Sequence, residues 1–360
     1  MSGAFDILVD GTAASDLTDR LGGLEVEEHA DRPGVFSLTL AANTDDKGDL
    51  DAVADPRFGP LANVAVVARG ADDQNQCLID GFVLAQSLNL DRSGGAASLR
   101  VWGQDASWLM NTSEQAREWV DVTDGTVANS IFGEYGFTPD PGNTSDDSPA
   151  HAEAGHSLMQ RATDAQFLMN LARRSGKLCR VCCEDMPGVR TGWFARPSLD
   201  GEPAAILIAS GPDANIDNLD ISWDVMRPTS VMAHQALFSS TEGAGGETAE
   251  SGLSPLGDSD LATFAGKPVK AMLTAMVDDG GELTTRAQAV LAEAGWVARC
   301  EGSVTAASLG SILRVGKLVR VDSAGSRHSG KYLVWSVRHS ITADTHTMAF
   351  TLVRNAVGAG

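Results

Sequence analysis

Aromatic side chains are scarce in this sequence of 360 residues, at 6% with only two tyrosines. No apolar run approaches the roughly 18 residues that a bilayer-spanning helix needs, so no helical membrane span is expected. The N-terminal Met1-Ser-Gly-Ala-Phe-Asp lacks a basic segment followed by an apolar one, so no secretory leader is expected and folding in a cytoplasm is. Basic residues are outnumbered, with 27 Lys and Arg against 48 Asp and Glu for a net charge of -21. That balance argues against the electropositive face of a sequence-specific nucleic-acid binder and fits solubility with complementary protein docking. Cysteines number five, an odd count that points to reduced, buried thiols.

The patterns that chemistry requires are missing as well. Cys179-Arg-Val-Cys182 matches C-x-x-C, but Lys177-Leu-Cys-Arg-Val-Cys-Cys183 reads as a strand. Residues three apart on a strand face opposite ways, so this pair does not converge on a metal. The histidines His29, His151, His156, His234, His328, His339 and His346 are scattered, and His151 and His156 are the only close pair. No H-E-x-x-H helix sets two imidazoles on one face, and no G-x-S-x-G turn presents a nucleophile. The Gly-rich stretches at 94–95 and 243–246 lack the Lys-Ser/Thr of a phosphate loop. No catalytic, cofactor-binding or metal-ligating residue is assigned, no cofactor is expected, and interface residues are left unknown.

What the sequence does hold is strands. Phe5–Val9, Leu24–Glu28, Gly34–Leu40, Asn63–Ala68, Cys77–Leu84 and Ser98–Gly103 fill the first hundred residues, separated by Gly, Asp and Pro. In the fourth decade Phe36, Leu38 and Leu40 share one face, and Val35, Ser37 and Thr39 the other. The period then changes. Val127, Ile131 and Tyr135 mark one face of a helix, and 138–156 read as a loop. A second helix spans about 161–176, with Thr163 and Gln166 in capping-box spacing, Phe167, Leu168 and Leu171 buried, and Gly176 as terminator. Strands follow near 178–183, 192–195 and 205–209. Asn218–Asp224 and Ser230–Phe238 read as two more, 239–260 as a Gly/Ser/Glu-rich surface loop, and Thr285 with Gln288 as the cap of a helix carrying Leu291 and Trp296. Three alternating antiparallel strands close the chain, at Leu313–Asp322, Ser329–His339 and Thr347–Asn355. The tryptophans fall on strand or helix positions where core packing is expected.

The order of these segments resembles the phage late control protein D family, the baseplate hub of contractile tails, and the hub portion of type VI secretion spike proteins. The resemblance is carried by "R-P-G-x-F-S-L-T-L", "I-D-G-F-V", Gly103-Gln-Asp105, the Asp164-x-x-Phe-Leu-x-x-Leu-Ala helix and the closing strands "R-V-G-K", "S-G-K-Y-x-V" and "F-T-L-V-R-N". It covers about residues 5 to 356. It implies a mainly β fold with α+β portions, comprising two antiparallel β-barrel domains, an α+β middle domain and a helical insertion. The first hub β-barrel is expected at 1–105, the middle domain at 106–215, the second barrel at 216–240 with 297–356, and the loop and helical insertion at 241–296.

The function implied is structural, not enzymatic: a subunit of a contractile phage tail or tail-like injection particle. Three copies would form a ring adapting a hexameric tail tube to a trimeric spike around a central channel. Expected partners are two further copies, the tail tube or tube initiator, a separate spike protein, the tape-measure protein in the lumen and baseplate wedge proteins. Location in the virion tail baseplate, after assembly in the bacterial cytoplasm, follows from the same resemblance. Only Ala-Val-Gly-Ala-Gly follows Asn355, so the piercing tip is expected on another chain. A tail-associated peptidoglycan hydrolase is the alternative, since a carboxylate pair is not excluded by counting. A carbohydrate-binding β protein fits less well, because Trp102, Trp335 and Phe350 alternate within strands. Charge is uneven: residues 1–100 hold 17 acidic and 7 basic side chains, whereas 301–360 hold 3 acidic and 7 basic.

Overall fold

The computed structural model describes residues 5–44, 48–70, 75–90, 97–145, 148–152, 157–183, 185–236, 243–275, 277 and 280–358. The first part of the chain gives β1 (Phe5–Val9), β2 (Thr12–Ala13), β3 (Leu21–His29), β4 (Val35–Ala42), the short helix α1 (Asp51–Ala54), β5 (Asn63–Arg69), β6 (Asn75–Asn89) and β7 (Ala97–Asp105). The middle gives β8 (Glu114–Trp119), α2 (Asp124–Glu134), β9 (Thr138–Pro139), β10 (Leu158–Thr163), α3 (Asp164–Arg174), β11 (Leu178–Cys183), β12 (Arg190–Ala195) and β13 (Ile206–Ile208). Then come β14 (Asn218–Trp223), β15 (Ser230–Ala236), β16 (Gly243–Thr248), β17 (Ser259–Asp260), α4 (Leu261–Ala265), β18 (Lys270–Leu273) and α5 (Gly280–Ala294). The chain closes with β19 (Ala298–Thr305), α6 (Ala306–Leu309), β20 (Leu318–Asp322), β21 (Gly330–Ile341), β22 (His346–Arg354) and β23 (Ala356–Val357).

A 13-stranded sheet gathers both ends of the chain in the order β14-β19-β22-β21-β3-β4-β7-β6-β5-β1-β2, with β20 on β21 and β13 on β20. The alternation read from the sequence places its core. Phe36, Leu38 and Leu40 on β4, Val101 on β7, and Val337 and Leu352 on β21 and β22 all belong to one continuous buried cluster. At Gly103 a Cβ would stand 2.3 Å from both the Phe36 ring and the Phe82 carbonyl oxygen, so the Gly-x-Asp turn-off admits no larger residue. β21 makes the junction. Gly330–Leu333 pairs with β20, and beyond an irregularity between Val334 and Ser336 the stretch Ser336–Ile341 pairs antiparallel with β3.

That junction corrects the expectation of two separate closed barrels. Among the described residues the strand path has free ends at β2 and β14 and does not close, and the two strand groups share one sheet. Two local assignments change with it. β13 leaves the expected middle domain to pair in parallel with β20. β15, expected to begin the second barrel beside β14, instead pairs with β16 and β18 in a small sheet against α5. Its Val231 and Ala233 pack with Leu283, Ala287 and Leu291 of that helix. The Gly243–Gly246 stretch, read as loop, is part of β16. A Cβ at Gly245 would lie 2.5 Å from His234 Nδ1, so any larger residue there would displace that ring. Helix α5 begins at Gly280, so Thr285 is interior rather than a cap, and a Glu282–Arg286 pair one turn apart supports the extension.

In the middle region the helices start where capping residues stand. Thr123 Oγ1 accepts from the Thr126 amide and Thr163 Oγ1 from the Gln166 amide, each at 3.3 Å. Val127, Ile131, Phe167, Leu168 and Leu171 bury against Val181 and Phe194 of the β11–β12 pair. The expectation of five reduced thiols is corrected here. Cys77 on β6 and Cys183 at the end of β11 form a disulfide, with Cα atoms 5.6 Å apart across 106 residues of sequence. No spacing signal links two cysteines so far apart, because the fold alone brings their strands together. Cys179, Cys182 and Cys300 are outside any disulfide.

Closing a loop of this length restricts the unfolded chain, a contribution of up to about 5 kcal/mol in the chain-entropy treatment. With one disulfide among five cysteines, thiol titration of the denatured, unreduced chain should count three thiols. Reduction, or the double change Cys77→Ser with Cys183→Ser, should lower the urea midpoint. A titre of five thiols without reductant would show the cross-link absent.

Candidate functional site: a buried seam between the two ends of the chain

β3 reads Leu24-Glu-Val-Glu-Glu28, and its alternation turns Leu24, Val26 and Glu28 inward together. A carboxylate at a core position needs partners, and the opposite end of the chain supplies them. Glu28 is 9% exposed, and its Oε1 accepts from Arg314 Nε at 2.9 Å and from His339 Nε2 at 3.1 Å. His339 is fully buried, and its Nδ1 lies 3.0 Å from His346 Nε2 on β22. The carboxylate only accepts, so His339 donates from Nε2. In its neutral form its Nδ1 then accepts from His346 Nε2–H. Beside this chain Arg338 Nε donates to Glu27 Oε1 at 2.6 Å. The acidic excess of the N-terminal region and the basic excess of the C-terminal region thus meet inside one molecule.

The electrostatics follow from burial and charge. Burial pulls the Glu28 carboxyl upward, but the Arg314 guanidinium and His339 outweigh it and hold it below the usual carboxylate range. Burial, with His339 adjacent, pushes the His346 imidazole down to about 3, so this ring stays neutral in the native state at ordinary pH.

A second polar cluster lies at the other end of β22. Arg354 is fully buried and donates to three main-chain carbonyls: Leu256 from Nε at 3.0 Å, Ser329 from Nη1 at 3.1 Å, and Gly358 from Nη2 at 2.6 Å. Its guanidinium lies 5.4 Å from the Tyr332 ring centroid. Asn355 continues the clamp, accepting from the Leu256 amide and donating to the Ser254 carbonyl, both at 2.9 Å. The "V-R-N" motif therefore fixes the segment returning from the small sheet against the closing strands.

The groups that hydrolytic or metal chemistry would use are placed elsewhere. Asp124 is held by His151 Nε2 at 2.8 Å and Arg174 Nη2 at 3.0 Å, a structural bridge from α2 to α3. His156 lies outside the described residues. Asp80 accepts from Asn63 Nδ2, the Gly188 amide and Arg190 Nη2, fastening β6 to the turn before β12. Burial pushes Asp105 up to about 6, against the hydrogen bonds donated by Ser107 and the Gly34 amide. That carboxyl caps the short turn at 106–111 inside the fold. Cys179 is pushed up to about 12 by burial, which makes it a poor nucleophile. Two tryptophans depart from expectation, Trp102 and Trp223 being exposed at 38% and 47%, whereas Trp119, Trp296 and Trp335 pack partly buried against core clusters.

A model of the Alg8 N-terminal domain family matches residues 2–343. The chain belongs to that family. Alg8 N-terminal domain is a different family name from the late control protein D that the motif order resembles, while the fold is one found in tail proteins. The tail protein from Neisseria meningitidis is similar over 99% of this chain and 97% of its own, with TM-score 0.68 at 14% identity. The 43 kDa tail protein of prophage MuSo2 from Shewanella oneidensis is similar over 99% and 100%, with TM-score 0.69 at 14% identity. An Escherichia coli type VI secretion component, itself described as similar to phage tail proteins, is matched over 97% of this chain and 76% of its own, with TM-score 0.58 at 14% identity. No curated protein sequence matches. No helix among the described residues is long and apolar enough to cross a membrane.

A histidine whose folded value lies below its unfolded one costs stability as pH falls through the unfolded value. With His346 at about 3 in the fold, acidification from pH 7 to 5 should remove up to about 2 kcal/mol relative to His346→Gln, which still donates to His339. Urea midpoints at both pH values test this. Equal losses in the two proteins would exclude His346 as the source.

Proposed function

We propose that this chain is a structural, non-enzymatic baseplate hub subunit of a contractile phage tail or tail-like injection particle. The observation that carries the reading is the likeness of fold over 99% of the chain to two tail proteins. The strand pattern adds a physical rationale. β1 and β3–β7 on one side of the β3–β21 junction, and β14, β19, β20 and β22 with β21 on the other, are two antiparallel groups of similar size. Each is the sheet of one hub module, the first within residues 1–105 and the second built from 218–223 and 298–354 with β13 at its β20 edge. The α+β middle region and the small β15–β16–β18 sheet with α5 lie outside them.

Two like modules per subunit let three copies present six like surfaces. A trimeric ring of this kind adapts a hexameric tube to a trimeric spike and leaves a channel for the tape-measure protein. The tube or its initiator, a separate spike protein and wedge proteins are the partners. The virion tail is the location. Acidic or neutral side chains line the channel, in keeping with a net charge of -21.

Native mass measurement combined with electron microscopy tests the assembly. The expected particle has three times the 37.6 kDa chain mass, six peripheral lobes and an open, non-basic centre. A ring of another order, or a chain that stays monomeric with tube and spike proteins present, would contradict it.

A further inference from the structure

Strand β6 runs for 15 residues, but β5 accompanies it only from Asn75 to Phe82. Leu61 and Ala62 then cover Val83: the Leu61 amide donates to the Val83 carbonyl at 2.9 Å, and the Val83 amide to the Ala62 carbonyl at 3.0 Å. Leu61, at φ 65°, makes the left-handed bend by which the chain joins this edge. Beyond it β6 continues to Asn89 paired with β7 alone. Every second amide and carbonyl of Ala85–Asn89 points away from β7, and no main-chain group among the described residues meets them. The Gln86 side chain, donating to the Phe58 carbonyl, is the one bond reaching across.

Open sheet edges pair with other chains unless charge, proline or shortness prevents it. Other edges of this protein are guarded in that way. β14 carries Asp220, β16 Glu247 and β18 Lys270, while β2 and β13 have two and three residues. Leu84-Ala-Gln-Ser-Leu-Asn-Leu90 holds no charge and no proline, in a chain of which 21% is charged. Its Leu88 and Leu90 are 42% and 63% exposed. Leu88 stands opposite Leu99, on the face of β7 that enters the core, so a strand added here would extend that core. A row of unpaired amides and carbonyls matches an extended backbone, and leucines two apart match apolar residues at alternate positions. The net charge of -21, with 17 acidic against 7 basic side chains in residues 1–100, attracts a basic segment and opposes a second copy in the same place. We propose that the open edge of β6 receives, by strand addition, an extended segment of a different protein, apolar at alternate positions and bearing lysine or arginine. The site stands apart from the hub reading, since it needs only the monomer fold.

Titration of the intact chain with the peptide acetyl-Lys-Val-Thr-Leu-Thr-Val-Lys-amide tests the proposal, read by binding isotherm and by amide hydrogen exchange. Saturable binding is expected, with exchange slowed within Ala85–Asn89. Exchanging both peptide lysines for glutamate, or N-methylating every internal residue, should each weaken binding about tenfold or more. Leu88→Lys, which places a charge on the edge, should weaken it by a similar factor, with unchanged melting as the check on folding. Equal binding of the N-methylated peptide overturns strand addition, and equal binding of the glutamate peptide overturns the basic occupant. Slowed exchange at β14 or β18 instead, or no saturable binding at millimolar concentration, overturns the site. A change in particle mass of the peptide-free chain on Leu88→Lys would assign the edge to a second copy and overturn the proposal as well.

Discussion

The pairing of β3 with β21 is the contact on which the arrangement of the molecule depends. It joins residues more than 300 positions apart in a continuous antiparallel ladder, with Glu27 opposite Arg338 and Val26 opposite His339. Ordering two ends of a chain this far apart carries a loop-closure cost that grows only slowly with length, so a few strong long-range contacts offset it. The apolar contribution comes from Leu24, Val26, Val337 and Ile341, all buried in the shared core. The polar contribution comes from Glu28, whose burial is tolerable only with Arg314 and His339 in place.

This combination fixes register as well as attachment. A slip of one residue would turn Glu28 outward and drive Glu27 or Glu25 into the core, away from both Arg314 and the His339–His346 pair. Apolar pairs alone would tolerate such slips more readily. The buried carboxylate therefore works as a positional key, and the disulfide between β6 and β11 and the Arg354 clamp secure the middle region and the insertion to the frame so defined. On the proposed hub reading, this fixed relation between the two strand groups would set the geometry of the ring.

Much of this frame was legible in the residues. The strands at Phe5–Val9, Val35–Ala42 and Gly330–Ile341, and the helix capped by Thr163, follow from alternation and capping, which are local signals. Strand partnership was not legible, because pairing is decided at long range. β15 has the composition of a sheet strand and finds β16 and β18 rather than β14. The Gly243–Gly246 stretch looks flexible until His234 is seen lying over Gly245. The seam did leave a trace: Leu24, Val26 and Glu28 share one face, and an inward carboxylate near one end with basic strands at the other marks complementary partners. The Cys77–Cys183 pair left none.

Native-state hydrogen exchange across the β3–β21 junction tests the central claim most directly. If the two ends form one cooperative sheet, the amides of 24–29 and 336–341 exchange with the same opening free energy and the same denaturant dependence, and Glu28→Gln weakens both together. Exchange of 24–29 at a much lower opening free energy than 336–341, or weakening of only one strand by the substitution, would show that the two halves fold and open independently.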